Sequence, residues 1–294
     1  MKKLIAVLLA VLFAVCFASC DEEGKADSGS NNAEKHTYVS GICTDCGKLE
    51  PSEGFEFRPV LDETGKTVAY SVSGMGNCTD TELVFPDSHE NLPVVSVLYD
   101  AFYNNTSIVS ITLPEGFTEI GASAFKGCDN LKSIALPSTL KTISGFAFQN
   151  CKALTEITLP EGTEIIDKQS FSGCSSLTTV NFPSTLVEIG YMAFMECTNL
   201  DKVFIKEGTK KIGEFAFEKC QNMYEMTLPA SLEFIGAGAF DGCISLINQK
   251  YAGTVEQFKA IELGGGINNE NPILCSDGSI KRLYSNTDKE LGRW

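Results

Sequence analysis

The sequence predicts a solenoid, a coil of short strands stacked rung on rung with a parallel sheet along one face and short irregular or 3-10 segments along the other. Three observations predict it. Phenylalanine returns every 23 residues, at Phe102, Phe125, Phe148, Phe171, Phe194, Phe217 and Phe240, with no insertion. Cysteine keeps the same frame at Cys128, Cys151, Cys174, Cys197, Cys220 and Cys243. Between these landmarks the apolar residues recur in the same places, and a fixed period of this length marks stacked repeats.

The chain begins differently. "MKKLIAVLLAVLFAVCFASC" has a basic start at Lys2 and Lys3, then an apolar run from Leu4 to Phe17. That run is the length of a signal-peptide core and short for a membrane span. The small residues Ala18 and Ser19 before Cys20 resemble a bacterial lipoprotein signal, in which Cys20 becomes the lipidated N-terminus. An ordinary secretion signal cut nearby is the competing reading, and both export the chain. Residues 1–19 are therefore expected to be a signal peptide. Residues 20–35 are polar, with nothing larger than alanine to bury, and read as a flexible tether.

Residues 36–80 read as a small cap. "HTYVSGICTDCGK" carries His36, Cys43 and Cys46. A C-x-x-C turn can grip Zn²⁺, but a structural zinc takes four ligands. Cys78 and His89 are candidates for the fourth, and the spacing selects neither. A Cys43–Cys46 disulfide, favoured by export, and two idle thiols remain alternatives. Further on, the alternating runs Phe57–Leu61 and Thr67–Val72 flank the turn "DETGK" and predict a hairpin that could close the end of the stack.

The repeats occupy residues 81–246. In "CDNLKSIALPSTLKTISGFAFQN" (Cys128–Asn150), Leu131, Ile134 and Leu136 point inward and Pro137 ends the strand. Leu140, Ile143, Ala147 and Phe148 line the return path. One unit cannot bury so many apolar groups, whereas stacked units cover each other's faces. Parallel strands about 4.8 Å apart place like on like, so phenylalanine should stack on phenylalanine. The frame cysteine falls at the turn into the strand, where a free thiol suits a tight corner near backbone carbonyls. Disulfides between adjacent rungs lie within Cα reach. They would need a dihedral near 90° that side chains running parallel in a ladder do not offer.

The "C-x-x-L-x-x-I-x-L-P … I-G-x-x-A-F" pattern resembles the BspA-like leucine-rich repeat family. Six units keep most of its landmarks; Lys206 replaces the proline, Met223 the first leucine, and Ser144 and Asp167 the glycine. The resemblance implies a leucine-rich-repeat solenoid on a bacterial surface protein. The tail, residues 247–294, breaks the period and resembles the segment that follows such repeats. Tyr251, Phe258 and Ile261 are expected to cap the last apolar face, since an open edge would invite aggregation.

Composition narrows the function. A formal net charge of -15 argues against nucleic acid, which calls for a basic face. The chain has two histidines and no hydrolase, zinc-protease or phosphate-loop motif. "GGG" at Gly264–Gly266 lacks the strand-to-helix setting of a nucleotide site. Neither catalysis nor a cofactor is expected.

Two classes remain. One is an adhesin-like binding module for an extracellular or host protein or glycan, as the family suggests. The other is a rigid envelope protein without a ligand. On the strand face the outward columns run Ser110, Ser133, Glu156, Thr179, Lys202, Glu225 and Thr112, Ala135, Thr158, Asn181, Phe204, Thr227. Most of these are small and polar, as on a solvated sheet. Phe204 stands out, beside Lys202, in a unit that also holds Lys206, Lys210 and Lys211. It is either a contact residue or a lone surface phenylalanine.

Overall fold

The computed structural model describes residues 38–39, 42–44, 47–265 and 271–280. Cys20, the leader, the tether, His36, Cys46 and the side chain of Cys43 lie outside the described residues. Up to Glu50 the chain forms a unit of its own. There Tyr38–Val39 pairs antiparallel with Ile42–Cys43, and Ile42 bridges to Leu49.

From Pro51 the hairpin and the repeats form one unit. Strands Glu56–Leu61 and Thr67–Gly74 pair antiparallel. Their turn is fixed by the Asp62 carboxylate, which accepts from the Thr64 hydroxyl at 2.6 Å and the N–H groups of Thr64 and Lys66 at 2.8 and 3.0 Å. The outer strand carries Pro59, which has no N–H to offer a further strand. The inner strand pairs in parallel with Leu92–Val97 and so extends the stack. Before that strand, Ser88–His89 folds back on it through Glu90 and Asn91, both left-handed at φ 49° and 63°. Two such residues in a row are what a tight hairpin with right-twisted strands requires.

Each rung, named here by its frame phenylalanine, contributes two strands. The Phe148 rung supplies Ser133–Ala135 and Thr142–Ile143. Strands of the second kind align in register, Ile143 on Ile166 and Ile166 on Ile189. They form one continuous sheet from the hairpin to Glu262–Leu263. The return face is therefore more regular than the irregular segments expected there. A β-branched residue at the same frame position in every rung, Val97 and then isoleucine from Ile120 to Ile235, lets even two-residue strands pair.

After the second strand the chain makes consecutive turns. The residue two before each frame phenylalanine is left-handed, from Asp100 through Phe146 to Gly238, with φ between 52° and 64°. For residues other than glycine this costs about 1–2 kcal/mol each. Rung-to-rung bonds such as Phe146 N–H to the Lys168 carbonyl, 2.9 Å, offset it.

The first ladder is not uniform. It divides into a sheet of Glu82–Val84, Ser110–Thr112 and Ser133–Ala135 and a second sheet from Glu156–Thr158 to Gly278–Ile280. The corner after this strand alternates from rung to rung. Alternate rungs carry Glu115-Gly116, Glu161-Gly162 and Glu207-Gly208, and those between carry Ser138-Thr139, Ser184-Thr185 and Ala230-Ser231. Each glutamate clasps the next rung. Glu161 accepts from both the N–H and the hydroxyl of Ser184 at 2.8 Å. Glu115 does the same for Ser138, and Glu207 takes the N–H groups of Ala230 and Ser231. Gly162, at φ 100°, turns the corner so that its N–H meets the Thr185 hydroxyl at 2.9 Å. No glutamate clasp joins the Phe148 rung to the Phe171 rung, where the ladder divides, or the Phe194 rung to the Phe217 rung, where it narrows to the single pair Thr179–Lys202; Ile134 and Leu136 are only half-buried.

The core is a set of columns. Neighbouring frame phenylalanines stack at 5.1–5.5 Å with planes within 10°. All six frame cysteines are free and buried. Each thiol donates to the carbonyl of the phenylalanine one rung back, Cys197 to Phe171 at 3.2 Å for example. The expected corner role is what the geometry shows. At the C-terminal end Tyr251, Phe258 and Ile261 are buried, with the Tyr251 and Phe258 rings edge to face at 4.9 Å. Phe258 sits on a short helix, Val255–Ala260, started by a reciprocal Thr254–Gln257 capping box.

Candidate functional site

Among the described residues no group of three metal-ligating side chains gathers. Cys78 is buried, and His89 stacks on Phe57 at 3.9 Å with Tyr70 edge-on at 4.7 Å. One group of exposed side chains lies on the first ladder.

Lys202 and Phe204 belong to the three-residue strand Lys202–Phe204, whose middle residue, Val203, is fully buried. Alternation along the strand turns its neighbours outward. Phe204 is 49% exposed although it stands in a sheet. Register then shows what surrounds it. Phe204 pairs with Thr227, Thr227 with Lys250, and Lys250 with Leu274. Leu274 is also 49% exposed, so an apolar side chain lies at each end of this column. At the strand entry Tyr224 and Ile247 are neighbours, Ile247 N–H donating to the Tyr224 carbonyl, and Ile244 stands in the turn before. Ile247 is 54% and Ile244 82% exposed.

The equivalent outward positions of the earlier rungs are Ser110, Thr112, Ser133, Ala135, Glu156, Thr158, Thr179 and Asn181. Exposed apolar surface on this ladder is thus gathered at its last rungs. Isolated apolar residues on a surface need no explanation, but five on the last rungs of one ladder stand out, even with Thr227 and Lys250 between Phe204 and Leu274. The sequence signalled Phe204. Tyr224 and Ile247 were missed because their column, otherwise Val109, Lys132, Thr155, Thr178 and Asp201, reads as turn rather than strand. Leu274 was missed because it lies beyond the 23-residue period.

The lysines of this unit sort themselves. Lys206 pairs with Glu161 at 3.3 Å, Lys210 with Glu233 at 2.9 Å and Lys211 with Glu188 at 2.8 Å. Lys206, which stands where other rungs have proline, reaches back two rungs to the clasp on Ser184. Lys250 is held by Glu225 at 2.6 Å. Lys202 forms no ion pair among the described residues, so its ammonium group is the one beside Phe204 left to meet an acidic group from outside.

Burial pushes Cys128 and Cys174 up to about 12 and raises Cys151, Cys197 and Cys220 as well. At these five frame positions the thiolate that would be the nucleophile or metal ligand is withheld in the native state.

The profile of the BspA type leucine rich repeat region matches in six copies, over residues 95–162 and 141–261. No curated protein matches. Among solved structures the chain is similar to the leucine-rich repeat protein TpLRR of T. pallidum, at 27% identity, with 68% of this chain and 83% of that chain covered and a TM-score of 0.49. A leucine-rich repeat protein of Bacteroides ovatus is 17% identical, with 72% and 86% covered and a TM-score of 0.41. The pneumococcal vaccine antigen PcpA is 15% identical, with 74% and 82% covered and a TM-score of 0.31. The repeat profile spans more than half of the 294 residues, and the 23-residue rungs stack with phenylalanine and cysteine in register; the chain belongs to the BspA type leucine-rich repeat family.

Proposed function

We propose that this protein is an exported, lipid-anchored binding module that holds a protein partner outside the cell through the last rungs of its first ladder. The reading rests on one observation, the gathering of Phe204, Tyr224, Ile244, Ile247 and Leu274 on a ladder face that is otherwise small and polar. Apolar anchors contribute through desolvation, and aromatic residues are over-represented among those that carry binding energy. Lys202 adds direction: it draws an acidic group on the partner toward a chain that is negative overall. Anchoring through Cys20 and the polar residues 20–35 would hold the solenoid away from the membrane and leave this face accessible. No enzymatic step is proposed. A rigid envelope component without a ligand is the competing reading, and it gives no role to an exposed apolar cluster.

The test is capture from extracellular-matrix and mucus protein extracts on immobilised full-length protein, in parallel with two variants. Phe204→Ala should weaken retention of the captured partner by about 1–2 kcal/mol. Lys202→Glu should mainly slow association. Partners held equally well by wild type and both variants would refute the assignment, and no specific capture at all would favour the structural reading.

A further inference from the structure

A second surface lies away from the first ladder, on the edge where the chain turns after the second strand. Three neighbouring columns of this edge carry an alternation of rings and ammonium groups. Tyr103 belongs to the Phe102 rung, Lys126 to the Phe125 rung, Phe146 to the Phe148 rung, Lys168 to the Phe171 rung and Tyr191 to the Phe194 rung. The side chains meet across the rungs. Lys126 Nζ lies over the Tyr103 ring at 5.7 Å and over the Phe146 ring at 5.4 Å. Lys168 Nζ approaches Phe146 from the rung on its other side, at 5.5 Å. Tyr103 and Tyr191 are 48% and 42% exposed.

Neither lysine forms an ion pair among the described residues, although the net charge is -15 and most lysines of the later rungs are paired. The carboxylate next in sequence, Asp167, accepts the main-chain N–H of Lys168 at 2.6 Å. Contact with ring faces holds an ammonium group in place without neutralising it. The backbone reinforces the arrangement, because Phe146 is left-handed at φ 64°. Beside the rings, the Gln149 side-chain amide donates to that of Gln169 at 2.6 Å, an aligned pair of polar groups level with Phe146 and Lys168.

We propose that this edge binds a linear acidic polysaccharide that carries one carboxylate on every second sugar. Parallel pairing sets the rungs about 4.8 Å apart, and the stacked frame rings lie 5.3–5.5 Å apart. A pyranose and its glycosidic bond span a similar length. A chain lying along the edge would therefore set one sugar against each rung, neutral sugars against the exposed rings of Tyr103 and Tyr191 and over Phe146, and acidic sugars on Lys126 and Lys168. The exposed tyrosine rings suit the C–H faces of sugars, Phe146 holds the two ammonium groups apart at the spacing of alternate sugars, and the amides suit the hydroxyl groups. An acidic peptide would place its side chains on alternate sides of an extended backbone and would make no use of the three rings. Farther along, the same edge turns acidic at Glu214, Glu218 and Asp241, which sets the end of the site.

The test is binding of hyaluronate oligosaccharides, in which a uronate alternates with an N-acetylhexosamine, to the full-length protein by calorimetry at low and physiological salt. Chitin oligosaccharides and polyglutamate of matched length are the controls. Hyaluronate should bind and weaken with salt, and the controls should bind at least tenfold more weakly. The double variant Lys126→Gln/Lys168→Gln should lose about tenfold in affinity with unchanged melting. Phe146→Leu, which keeps an apolar side chain but no ring, should lose several-fold. Phe204→Ala should leave this binding unaltered, so failure here is distinct from failure at the first ladder. Absence of hyaluronate binding, equal binding of polyglutamate, or wild-type affinity in the double variant would each overturn the proposal.

Discussion

Replacing Phe171 with alanine puts the ladder assignment under direct strain. The ring is fully buried and stacks on Phe148 at 5.4 Å and on Phe194 at 5.3 Å. Its removal forfeits the transfer free energy of a buried aromatic, about 1.5–3 kcal/mol, and two ring contacts of roughly 0.5–1.5 kcal/mol each. The hole cannot collapse readily, because the backbone around it is tied to both neighbours. Phe171 N–H donates to the Ala193 carbonyl at 2.8 Å, and Phe148 N–H to the Ser170 carbonyl at 2.8 Å. The Cys197 thiol bond to the Phe171 carbonyl survives the substitution, so the loss is that of the ring alone. Phe171→Ala should therefore cost about 4 kcal/mol, in the middle of the range for such changes. Urea unfolding followed by far-UV circular dichroism measures it, and thermal melting should fall by roughly 10 °C for a domain of this size. Phe240→Ala is the internal control. Its ring has a single stacked neighbour, Phe217 at 5.5 Å, and it should cost less. A loss below about 1 kcal/mol at Phe171, or a larger loss at Phe240, would refute the stacked core.

Three further outcomes follow from the same geometry. The six frame thiols should react slowly with a thiol reagent in the native state and fully in denaturant, because all six are buried; fast native labelling, or mass shifts showing disulfides among Cys128 to Cys243, would contradict this. Thr163→Val should stabilise the protein by about 1 kcal/mol in urea titration, since the Thr163 hydroxyl is buried without a hydrogen-bond partner. Glu161 is held below the ordinary glutamate range, first by the Ser184 hydroxyl and further by Lys206. Its contribution is therefore complete above about pH 4.3 and is lost as pH falls through the lowered value. Glu161→Gln should remove that part of the acid limb, and an unchanged pH–stability profile would show that the clasp is idle.

Much of this fold was legible because a fixed period makes every column repeat its own evidence. Leu131, Leu140, Ile143, Ala147 and Phe148 were read as inward from one unit, and the structure buries each of them fully, while Ile134 and Leu136, also read as inward, are half-buried. The second parallel ladder was less legible, because a two-residue strand such as Thr142–Ile143 is too short to show alternation. The two-rung alternation of Glu-Gly and Ser-Thr corners was written in the sequence. It became meaningful only when Glu161 was seen to bond Ser184 rather than solvent. The capping box at Thr254 and Gln257 had its own signature, a threonine followed three residues later by glutamine, hidden in a segment read as irregular. At the candidate site, Phe204 declared itself as an aromatic in a polar column. The rest of the cluster depends on register between rungs, which places Leu274 and Phe204 at the two ends of one column although they are 70 residues apart in sequence.

The central claim is that a partner sits on the last rungs of the first ladder, and hydrogen–deuterium exchange with and without the captured partner tests it most directly. Exchange reports local opening and cover along the whole chain in one experiment. New protection should fall on residues 202–205, 224–228 and 244–251, with the second-ladder strands at Thr142–Ile143 and Ile165–Ile166 unchanged. Protection confined to the second ladder, or to the Phe57–Tyr70–His89 cluster of the N-terminal hairpin, would contradict the account.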